Sequence, residues 1–498
     1  MPKDAWNRID EHELKPLTSL FAEEPDRLGQ LSKTIAGIHF DWSKTHLDGE
    51  LLEAFVTLAD EKNFAAAREA LFAGEVVNQT EDRSADHAAE RGSGSPDAVE
   101  LAASRRIRMR ALIDAIEAGA FGDVTGVLHI GIGGSALGPH LLVDALADDR
   151  LRLDVSFLSN IDPHAFDDAV SVLDPATTLV VAVSKTFTTT ETIANLDAAI
   201  AWLREAGVAD PYGRVIAVTA SQEAALEAGI DDSRILQFSE GVGGRYSLWS
   251  AVSVTAALAL GWDAFEELLE GAAEMDRHFR FTESGQNIPL IAAFADLTAT
   301  QKLEAQSRGV FPYDERLRLL VPYLQQLEME SNGKSVTAAG KPVDRPTAPV
   351  TWGGVGTDVQ HAVFQLLHQG TVAVHVEFLA VVETDSNLPA HHRQLLLNAF
   401  AQGAALMRGC KGGDPYRSEE GNRPSSTILL DRLDARTLGA LVAFYEHRTF
   451  TKAVLLGINP FDQFGVELGK EIARQLAEGE GGDDLDPSTR DLMERAKL

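Results

Sequence analysis

Short apolar runs alternate with amphipathic segments in the middle of the chain. Four runs rich in β-branched residues follow one another from residue 125, and each is typical of a buried strand: TGVLHIGI, LDVSFLSN, TTLVVAVS and GRVIAVTA. Segments such as ETIANLDAAIAWLREAG, with apolar residues three and four positions apart, separate the runs and indicate helices. Strands that alternate with helices predict a parallel sheet with helices on both faces.

The pattern predicts a second α/β unit after a helical stretch at about 250–305, with strands in GVFPYD, APVTWGG, VAVHVEFLA and AVLLGINP. The region before the first unit has mostly helical spacing, interrupted by IHFDWSKTHLD, which we interpret as irregular. We therefore predict an α/β fold of two αβα sandwich units with parallel sheets and helical N- and C-terminal extensions. The predicted boundaries are 1–100 for the helical N-terminal extension and linker, 101–258 and 259–458 for the two α/β domains, and 459–498 for the C-terminal helical segment.

Composition and charge narrow the class of protein. A chain of 498 residues is too long for one ordinary core, and 45% apolar residues are typical of a globular protein. The 44 Lys and Arg against 75 Asp and Glu leave a net charge of -31, which repels nucleic acids and anionic lipid surfaces. No apolar segment reaches the roughly 20 residues that a membrane span needs. The single Cys410 and a start without the apolar core of a secretory signal predict a cytoplasmic protein.

Two turns rich in Gly and hydroxyl groups follow the first and third predicted strands. GIGGSALGPH, from Gly131, fits the dinucleotide pattern, and such a turn at a helix start binds anions. A dinucleotide site also needs an acid at the tip of the next strand, where Ser159 and Asn160 stand instead. The third strand ends in SKTFTTTET, whose hydroxyls and Lys185 suit a phosphate. We favour a shared phosphomonoester site, with a dinucleotide site or a simple helix cap as alternatives.

Two further motifs place a charged residue where the apolar pattern breaks. Arg245 follows two glycines in EGVGGRYSLWSAVS, a tight turn from which a guanidinium could reach into a cleft. In LQQLEMESNGKS, Asn332 and Gly333 predict a helix end, so Glu330 would lie in the last turn. The negative helix end and partial burial there favour a general base. A surface salt bridge and an exposed carboxylate are the alternative interpretations.

Two later segments carry candidate polar residues on predicted helices. WGGVGTDVQHAVFQLLHQGT places His361 and His368 on one helix face, where zinc binding is conceivable but the spacing of a known zinc motif is missing. We take His361, beside the Gly-rich turn, as a catalytic candidate, with a structural role as the alternative. GINPFDQFGVELGKEIA predicts a strand, a turn and a helix with Gln463 and Lys470 on one side.

Nine motifs, in order from about residue 39 to 470, resemble those of the glucose-6-phosphate isomerase (phosphoglucose isomerase) family. They are IHFDWSKTHLD, GEVVNQTEDR, HIGIGGSALGP, SKTFTTTET, EGVGGRYSLWSAVS, QQLEMESNGK, GTDVQHAVFQLLHQGT, GNRPS and INPFDQFGVELGK. The resemblance implies two sugar isomerase units and the interconversion of glucose 6-phosphate and fructose 6-phosphate in glycolysis and gluconeogenesis. It implies ring opening and a cis-enediolate, with no metal and no cofactor. The chain departs from the family at Ser84–Asp86, where the family tends to be apolar.

The resemblance also implies roles for individual residues. Glu330 resembles the base that carries a proton between C2 and C1, and Arg245 the group that stabilises the enediolate. His361 and Lys470 resemble the ring-opening pair, and His361 is implied to come from the neighbouring subunit of a homodimer. The implied substrate-binding positions are Gly134, Ser135, Ser184, Lys185, Thr186, Thr189, Gln326 and Gln463.

Two other functions stay open at the level of the sequence. A non-catalytic sugar-phosphate sensor of the same fold would need a DNA-binding helix pair or a fused output module, and the sequence has a recognisable form of neither. A dehydrogenase would need the ribose-binding acid that the second strand of the first unit does not supply.

Overall fold

The computed structural model describes residues 4–147, 151–410, 412–478 and 485–497, and the chain divides into two compact units, Met1–Pro460 and Phe461–Leu498. The strands are β1 Ser32–Ile35, β2 Ile38–Asp41, β3 Gly126–Ile130, β4 Asp154–Leu158, β5 Thr178–Val183, β6 Val215–Thr219, β7 Ile235–Gln237, β8 Ser307–Tyr313, β9 Val350–Gly353, β10 Val374–Val381 and β11 Ser425–Leu430. The α-helices of the first unit are α1 Ala5–Glu11, α2 Leu17–Glu23, α3 Arg27–Leu31, α4 Gly49–Glu61, α5 Phe64–Ala73, α6 Pro96–Glu117, α7 Gly134–Leu146, α8 Pro163–Val170, α9 Thr190–Glu205, α10 Gln222–Glu227, α11 Val254–Leu260, α12 Trp262–Phe281, α13 Ile288–Lys302, α14 Leu320–Asn332, α15 Gln360–Gln369, α16 Pro389–Arg408 and α17 Ala435–Leu456. The second unit contains α18 Glu467–Ala477 and α19 Pro487–Ala496.

The first sheet contains the four strands predicted from residue 125 onward and one more. Its order is β4-β3-β5-β6-β7, and every pairing is parallel. In β3, Leu128 and Ile130 belong to the apolar cluster that α8, α9 and α10 share with the sheet, and His129 points to the opposite face, towards α11. Because β3 and β5 are neighbours and parallel, the turns that follow them lie at the same edge of the sheet.

The second sheet has six strands in the order β1-β2-β11-β10-β8-β9. Strands β8 to β11 are parallel to one another, and β1 and β2 form an antiparallel pair joined to β11. In β10, Phe378 packs in the apolar cluster with side chains of α15 and α16. Glu377, the residue before Phe378, points to the opposite face of the sheet and accepts hydrogen bonds from side chains of α17.

The observed elements confirm the predicted fold class, two αβα units with helical extensions, and correct it in detail. AVLLGINP is not a strand, because α17 continues to Leu456 before the chain turns at Gly457. Part of IHFDWSKTHLD is strand β2 rather than irregular, and its partner β11 was not predicted. The first sheet falls inside 101–258 and β8 to β11 inside 259–458, while the β1–β2 pair adds strands from the N-terminal extension to the second sheet.

In the predicted C-terminal segment 459–498 the structure describes a 3₁₀ turn at Phe464–Val466 and the helices α18 and α19, and residues 479–484 and 498 lie outside the described residues. Within the described ranges, every helix is too short or too polar to cross a membrane.

Candidate active site

The Gly-rich turn after β3 brings two segments into close contact. It leads into α7, which starts at Gly134, and Gly133 before it has the positive φ of 57° that glycine tolerates. A Cβ added to Gly134 would lie 2.1 Å from the carbonyl carbon of Gly244 and 2.6 Å from the backbone nitrogen of Arg245. The glycine therefore lets the start of α7 pack directly on the backbone that carries Arg245. The family resemblance did not indicate this use of the residue.

Ser135, in the first turn of α7, is half-buried and held by a histidine that the sequence analysis missed. The Ser135 carbonyl lies 2.8 Å from Nε2 of His129, whose Nδ1 is 2.8 Å from the Thr255 hydroxyl. Burial lowers the pKa of His129 to about 4, so the ring is neutral. Since a carbonyl only accepts, Nε2 carries the proton and Thr255 donates to Nδ1. The available signal was a histidine inside an otherwise apolar strand just before the turn.

The turn after β5 folds around the hydroxyl of Ser184. This hydroxyl lies 2.9 Å from the Thr189 hydroxyl and accepts a hydrogen bond from the Phe187 N–H at 3.1 Å. Phe187 has a positive φ of 56° and its ring is buried in the core of the first sheet. Thr186 is exposed beside them. The hydroxyl groups of the turn are thereby collected at the start of α9, where the helix dipole favours an anion.

Lys185 joins this turn to the segment that leads to Arg245. Its Nζ donates to the carbonyls of Glu240 at 2.6 Å and Val242 at 3.2 Å. Burial lowers the pKa of Lys185, and the nearby Arg83 lowers it further. The turns after β3 and β5 are therefore both connected to the Arg245 segment, by packing at Gly134 and by the hydrogen bonds of Lys185.

The family departure at Ser84–Asp86 packs against the same segment. The Asp86 N–H donates to the Gly241 carbonyl at 3.0 Å, and the Asp86 carboxylate accepts from the Ser239 hydroxyl at 3.0 Å. Asp86 thus has hydrogen-bond partners in the segment that precedes Arg245.

Arg245 is buried, with 2% of its surface exposed, and its guanidinium is held on three sides. Nε donates to the Ser331 hydroxyl at 2.7 Å and Nη2 to the Pro460 carbonyl at 2.6 Å. Nη1 lies 3.2 Å from Oε2 of Glu330. The alternative interpretation of Arg245 as part of a surface salt bridge is wrong, because the guanidinium is in the interior.

Glu330 occupies the last turn of α14, as predicted, and the helix ends at Asn332 with Gly333 as the C-cap. Its side chain is 29% exposed, so one face of the carboxylate is open. Oε1 accepts a hydrogen bond from Nε2 of Gln326, one helical turn earlier, at 3.2 Å. A Cβ on Gly133 would lie 2.8 Å from that same Nε2, so Gln326 lies between the Gly-rich turn and Glu330.

Further residues that orient Arg245 were not identified from the sequence. The Tyr246 hydroxyl lies 2.9 Å from the Ser331 hydroxyl, and the Tyr323 hydroxyl donates to the Arg245 carbonyl at 3.2 Å. Tyr323 and Ser331 both come from α14, on the same helix as Glu330. Buried hydroxyls at helical spacing from Glu330 were the available signal, although the pattern is equally typical of ordinary core residues.

His361 and His368 both lie on α15 and take no part in the contacts described above. His361 is exposed at the start of α15, and its imidazole makes no hydrogen bond or ion pair within the described part of the chain. His368 instead contacts Gln402 at 2.9 Å on α16, which fits a structural role. Gln463 and Lys470 belong to the second compact unit, where both are exposed. Their roles stay predictions.

The arrangement combines groups suited to moving a proton next to a bound anion. A partly exposed carboxylate can take up a proton, and a fixed, buried guanidinium beside it can stabilise negative charge that develops on an oxygen. The hydroxyl-rich turns provide donors for an anionic group at the same edge of the first sheet. Across the described ranges, no group of three or more His, Cys, Asp or Glu side chains is placed to hold a metal ion.

Comparison with known proteins supports the family resemblance over nearly the whole length of the chain. The family model described as phosphoglucose isomerase matches residues 41–493. The chain is 63% identical to a glucose-6-phosphate isomerase of Rhizorhabdus wittichii, over 99% of each chain, and 58% identical to one of Sphingopyxis alaskensis, over 99% of this chain and 98% of the relative. The crystal structure of a glucose-6-phosphate isomerase from Chlamydia trachomatis superposes with a TM-score of 0.91 at 31% identity, covering 100% of this chain and 99% of the other.

Proposed function

The chain belongs to the phosphoglucose isomerase family and is an isomerase, and from this premise we propose that it interconverts glucose 6-phosphate and fructose 6-phosphate. This reaction serves glycolysis and gluconeogenesis, and it fits the cytoplasmic location expected from the sequence. The observation that carries the proposal is the contact between Arg245 and Glu330, in which a buried guanidinium lies 3.2 Å from a partly exposed carboxylate.

The two turns of the first sheet bind the phosphate in this proposal. Ser184, Thr186 and Thr189 supply hydroxyls, and the starts of α7 and α9 supply backbone N–H groups and the positive ends of helix dipoles. Lys185 adds positive charge next to them. The phosphate thus anchors the far end of the sugar and leaves C1 and C2 free to reach Glu330.

Proton transfer is proposed to run through Glu330. The carboxylate removes the proton from C2 of the open-chain aldose, and negative charge moves onto the oxygen at C1, which the Arg245 guanidinium stabilises. The same carboxyl group then returns the proton to C1 while the hydroxyl proton of O2 passes to O1, leaving a hydroxyl at C1 and a carbonyl at C2. Because Ser331 and Pro460 hold Arg245 and Gln326 holds Glu330, both groups are in place before the substrate arrives.

Ring opening is assigned to His361 and Lys470, with His361 of the partner subunit completing the site of a homodimer. The His361 imidazole is exposed at the start of α15 and has no hydrogen-bond or ion-pair partner in the described residues, which supports a contact with a second copy of the chain. A non-catalytic sensor would need the phosphate-binding turns but not the Arg245–Glu330 pair, so the pair supports catalysis.

The test is to incubate the purified protein with fructose 6-phosphate and to follow glucose 6-phosphate with a coupled dehydrogenase. We expect turnover both before and after treatment with a metal chelator. Fructose 6-phosphate left unchanged under both conditions, by folded protein, contradicts the proposal. Turnover that is lost with the chelator and restored by a metal ion contradicts the cofactor-free mechanism.

A further inference from the structure

The helix α17 carries charged residues along a fully buried length. Glu446, Arg448 and Lys452 are each 1% exposed. A buried charge is costly unless it is paired, so each of these side chains requires partners on the elements packed around the helix. Arg448 pairs with Glu377 of β10 and Asp296 of α13. Glu446 and Lys452 each have one partner, Trp249 and Glu328 respectively, on the elements that carry Arg245 and Glu330.

One end of this arrangement reaches the turn that carries Arg245. Oε1 of Glu446 accepts a hydrogen bond from the Trp249 indole N–H at 2.8 Å, and Oε2 accepts from Arg91 Nη1 at 2.5 Å. The Arg91 guanidinium also lies 4.7 Å from the centre of the Trp249 ring. Trp249 ends the 3₁₀ helix Gly244–Trp249, in which Arg245 is the second residue. The indole N–H therefore fixes this short helix against α17.

The other end reaches the helix that carries Glu330. Lys452 Nζ lies 2.5 Å from Oε1 of Glu328, and the Thr449 hydroxyl donates to Oε2 of Glu328 at 3.3 Å. The Thr449 carbonyl accepts from Asn332 Nδ2 at 3.1 Å. Glu328 is two residues before Glu330 on α14, so the two carboxylates point to different sides of the helix. One side of the last turn is held by α17, and the other presents Glu330 to Arg245.

We propose that α17 is the positioning element of the active site: Glu446, through Trp249, sets Arg245, and Thr449 with Lys452, through Glu328, sets Glu330. The contacts described above run from α17 to the elements that carry Arg245 and Glu330, so α17 acts through those elements. Trp249 and Thr449 are accordingly positioning residues, and this inference rests on the proposed roles of Arg245 and Glu330.

Two nearly isosteric variants test the inference with little disturbance of the core. Trp249→Phe removes the indole N–H but keeps an aromatic ring under Arg91, and Thr449→Val removes only the hydroxyl that reaches Glu328. The matched controls are Trp262→Phe and Thr451→Val. Within the described ranges, the Trp262 indole donates to no group and the Thr451 hydroxyl bonds only to the His447 carbonyl of α17 itself. We expect kcat to fall about 5- to 10-fold in the two test variants, because small misplacements of catalytic groups are costly. KM should change less than about 2-fold, since the phosphate turns are not touched.

If Trp249 and Thr449 have a purely structural role, the test variants should have a lower melting temperature but the same kcat as the controls. This outcome overturns the inference. Crystal structures of both test variants give a readout that does not depend on turnover, the distance between Arg245 Nη1 and Glu330 Oε2. We expect it to lengthen beyond the 3.2 Å of the wild type in both. If the wild type shows no turnover, the proposed function is refuted but the positioning role is still tested by the crystal structures. An unchanged distance between Arg245 Nη1 and Glu330 Oε2 in both variants refutes the positioning role.

Discussion

The ion pair between Arg245 and Glu330 defines the chemistry at the level of single residues. Its geometry places the carboxylate beside a buried guanidinium and leaves the Glu330 side chain partly exposed to substrate. We predict that Glu330→Gln lowers kcat by about 10²- to 10⁴-fold, the range for loss of a general base, while KM stays within a few fold. Steady-state kinetics with fructose 6-phosphate measure both, with Glu227→Gln on an exposed position of α10 as the control. Equal losses in binding and turnover would contradict the role as a base.

The close packing at Gly134 leads to a prediction about stability. An alanine Cβ there would lie 2.1 Å from the Gly244 carbonyl carbon, far inside contact distance, so the backbone must shift. We expect Gly134→Ala to lower the free energy of unfolding by about 1–3 kcal/mol and to displace Arg245, reducing kcat. Gly285→Ala, where no atom lies within 4 Å of the added Cβ, is the control. A raised KM with unchanged stability would show that the glycine serves only the approach of a phosphate.

The buried His129 makes the stability of the protein depend on pH. Its pKa falls from the ordinary 6.5 to about 4 because burial disfavours the charged ring. The unfolded chain therefore binds a proton that the folded protein does not take up between pH 6.5 and 4. The contribution to stability is complete above pH 6.5 and is lost as the pH falls, by up to about 1.4 kcal/mol per pH unit.

Denaturant unfolding of the wild type and of His129→Gln at pH 7, 6 and 5 measures this effect. We expect the free energy of unfolding to fall less steeply with decreasing pH in the variant, whereas a His164→Gln variant, on an exposed position, should follow the wild type. Parallel curves for the wild type and His129→Gln would contradict the prediction.

At the level of elements, most strands of the two sheets could be predicted from the sequence. The second half of α17 and the strands β2 and β11 could not. The second half of α17 is buried on all faces, so the apolar spacing that reveals a helix is lost and AVLLGINP looks like a strand. Strands β2 and β11 are short, and each depends on a partner nearly the whole chain away: Ile38 pairs with Leu430. Such pairing leaves little local signal.

The same limit applies to the candidate site. The turns after β3 and β5 could be predicted because their composition and their place after parallel strands are local properties, and the neighbouring position of these strands is confirmed. The support of Arg245 could not be predicted, because Ser331 is 86 residues away and nothing in its own surroundings indicates that contact. His129 was missed for a related reason, since its hydrogen bond to Ser135 exists only in the folded turn.

The turn after β5 leads to a prediction about substrate binding. Without the Ser184 hydroxyl, the Phe187 N–H has no acceptor and the Thr189 hydroxyl loses its partner. The turn therefore loses the group around which it folds. We expect Ser184→Ala to raise KM for fructose 6-phosphate about 10-fold and to change kcat less than 3-fold, because Glu330 and Arg245 are unaffected. Ser171→Ala, at the end of α8, is the control in the same assay. A fall in kcat without a change in KM would place Ser184 outside the phosphate site.

At the level of the whole molecule, the first compact unit brings Arg245 and Glu330 together, and His361 stands exposed at the start of α15. A symmetric dimer could supply it in trans, because each copy would give its His361 to the other's site. The two arrangements, within one chain or across two, differ in what happens when two damaged subunits combine. A homodimer in which both chains carry Glu330→Gln should have little activity, and so should one in which both chains carry His361→Ala.

Co-expression of Glu330→Gln and His361→Ala chains, with separate tags to isolate the mixed dimer, distinguishes the arrangements. If the imidazole comes from the partner, one site of each mixed dimer carries both substitutions and the other carries none. The isolated mixed dimer should then have about half of the wild-type kcat per dimer, and an unfractionated mixture about a quarter, since random assortment makes half of the dimers mixed. If each site uses its own His361, both sites of the mixed dimer are singly damaged and activity stays at the level of the separate variants.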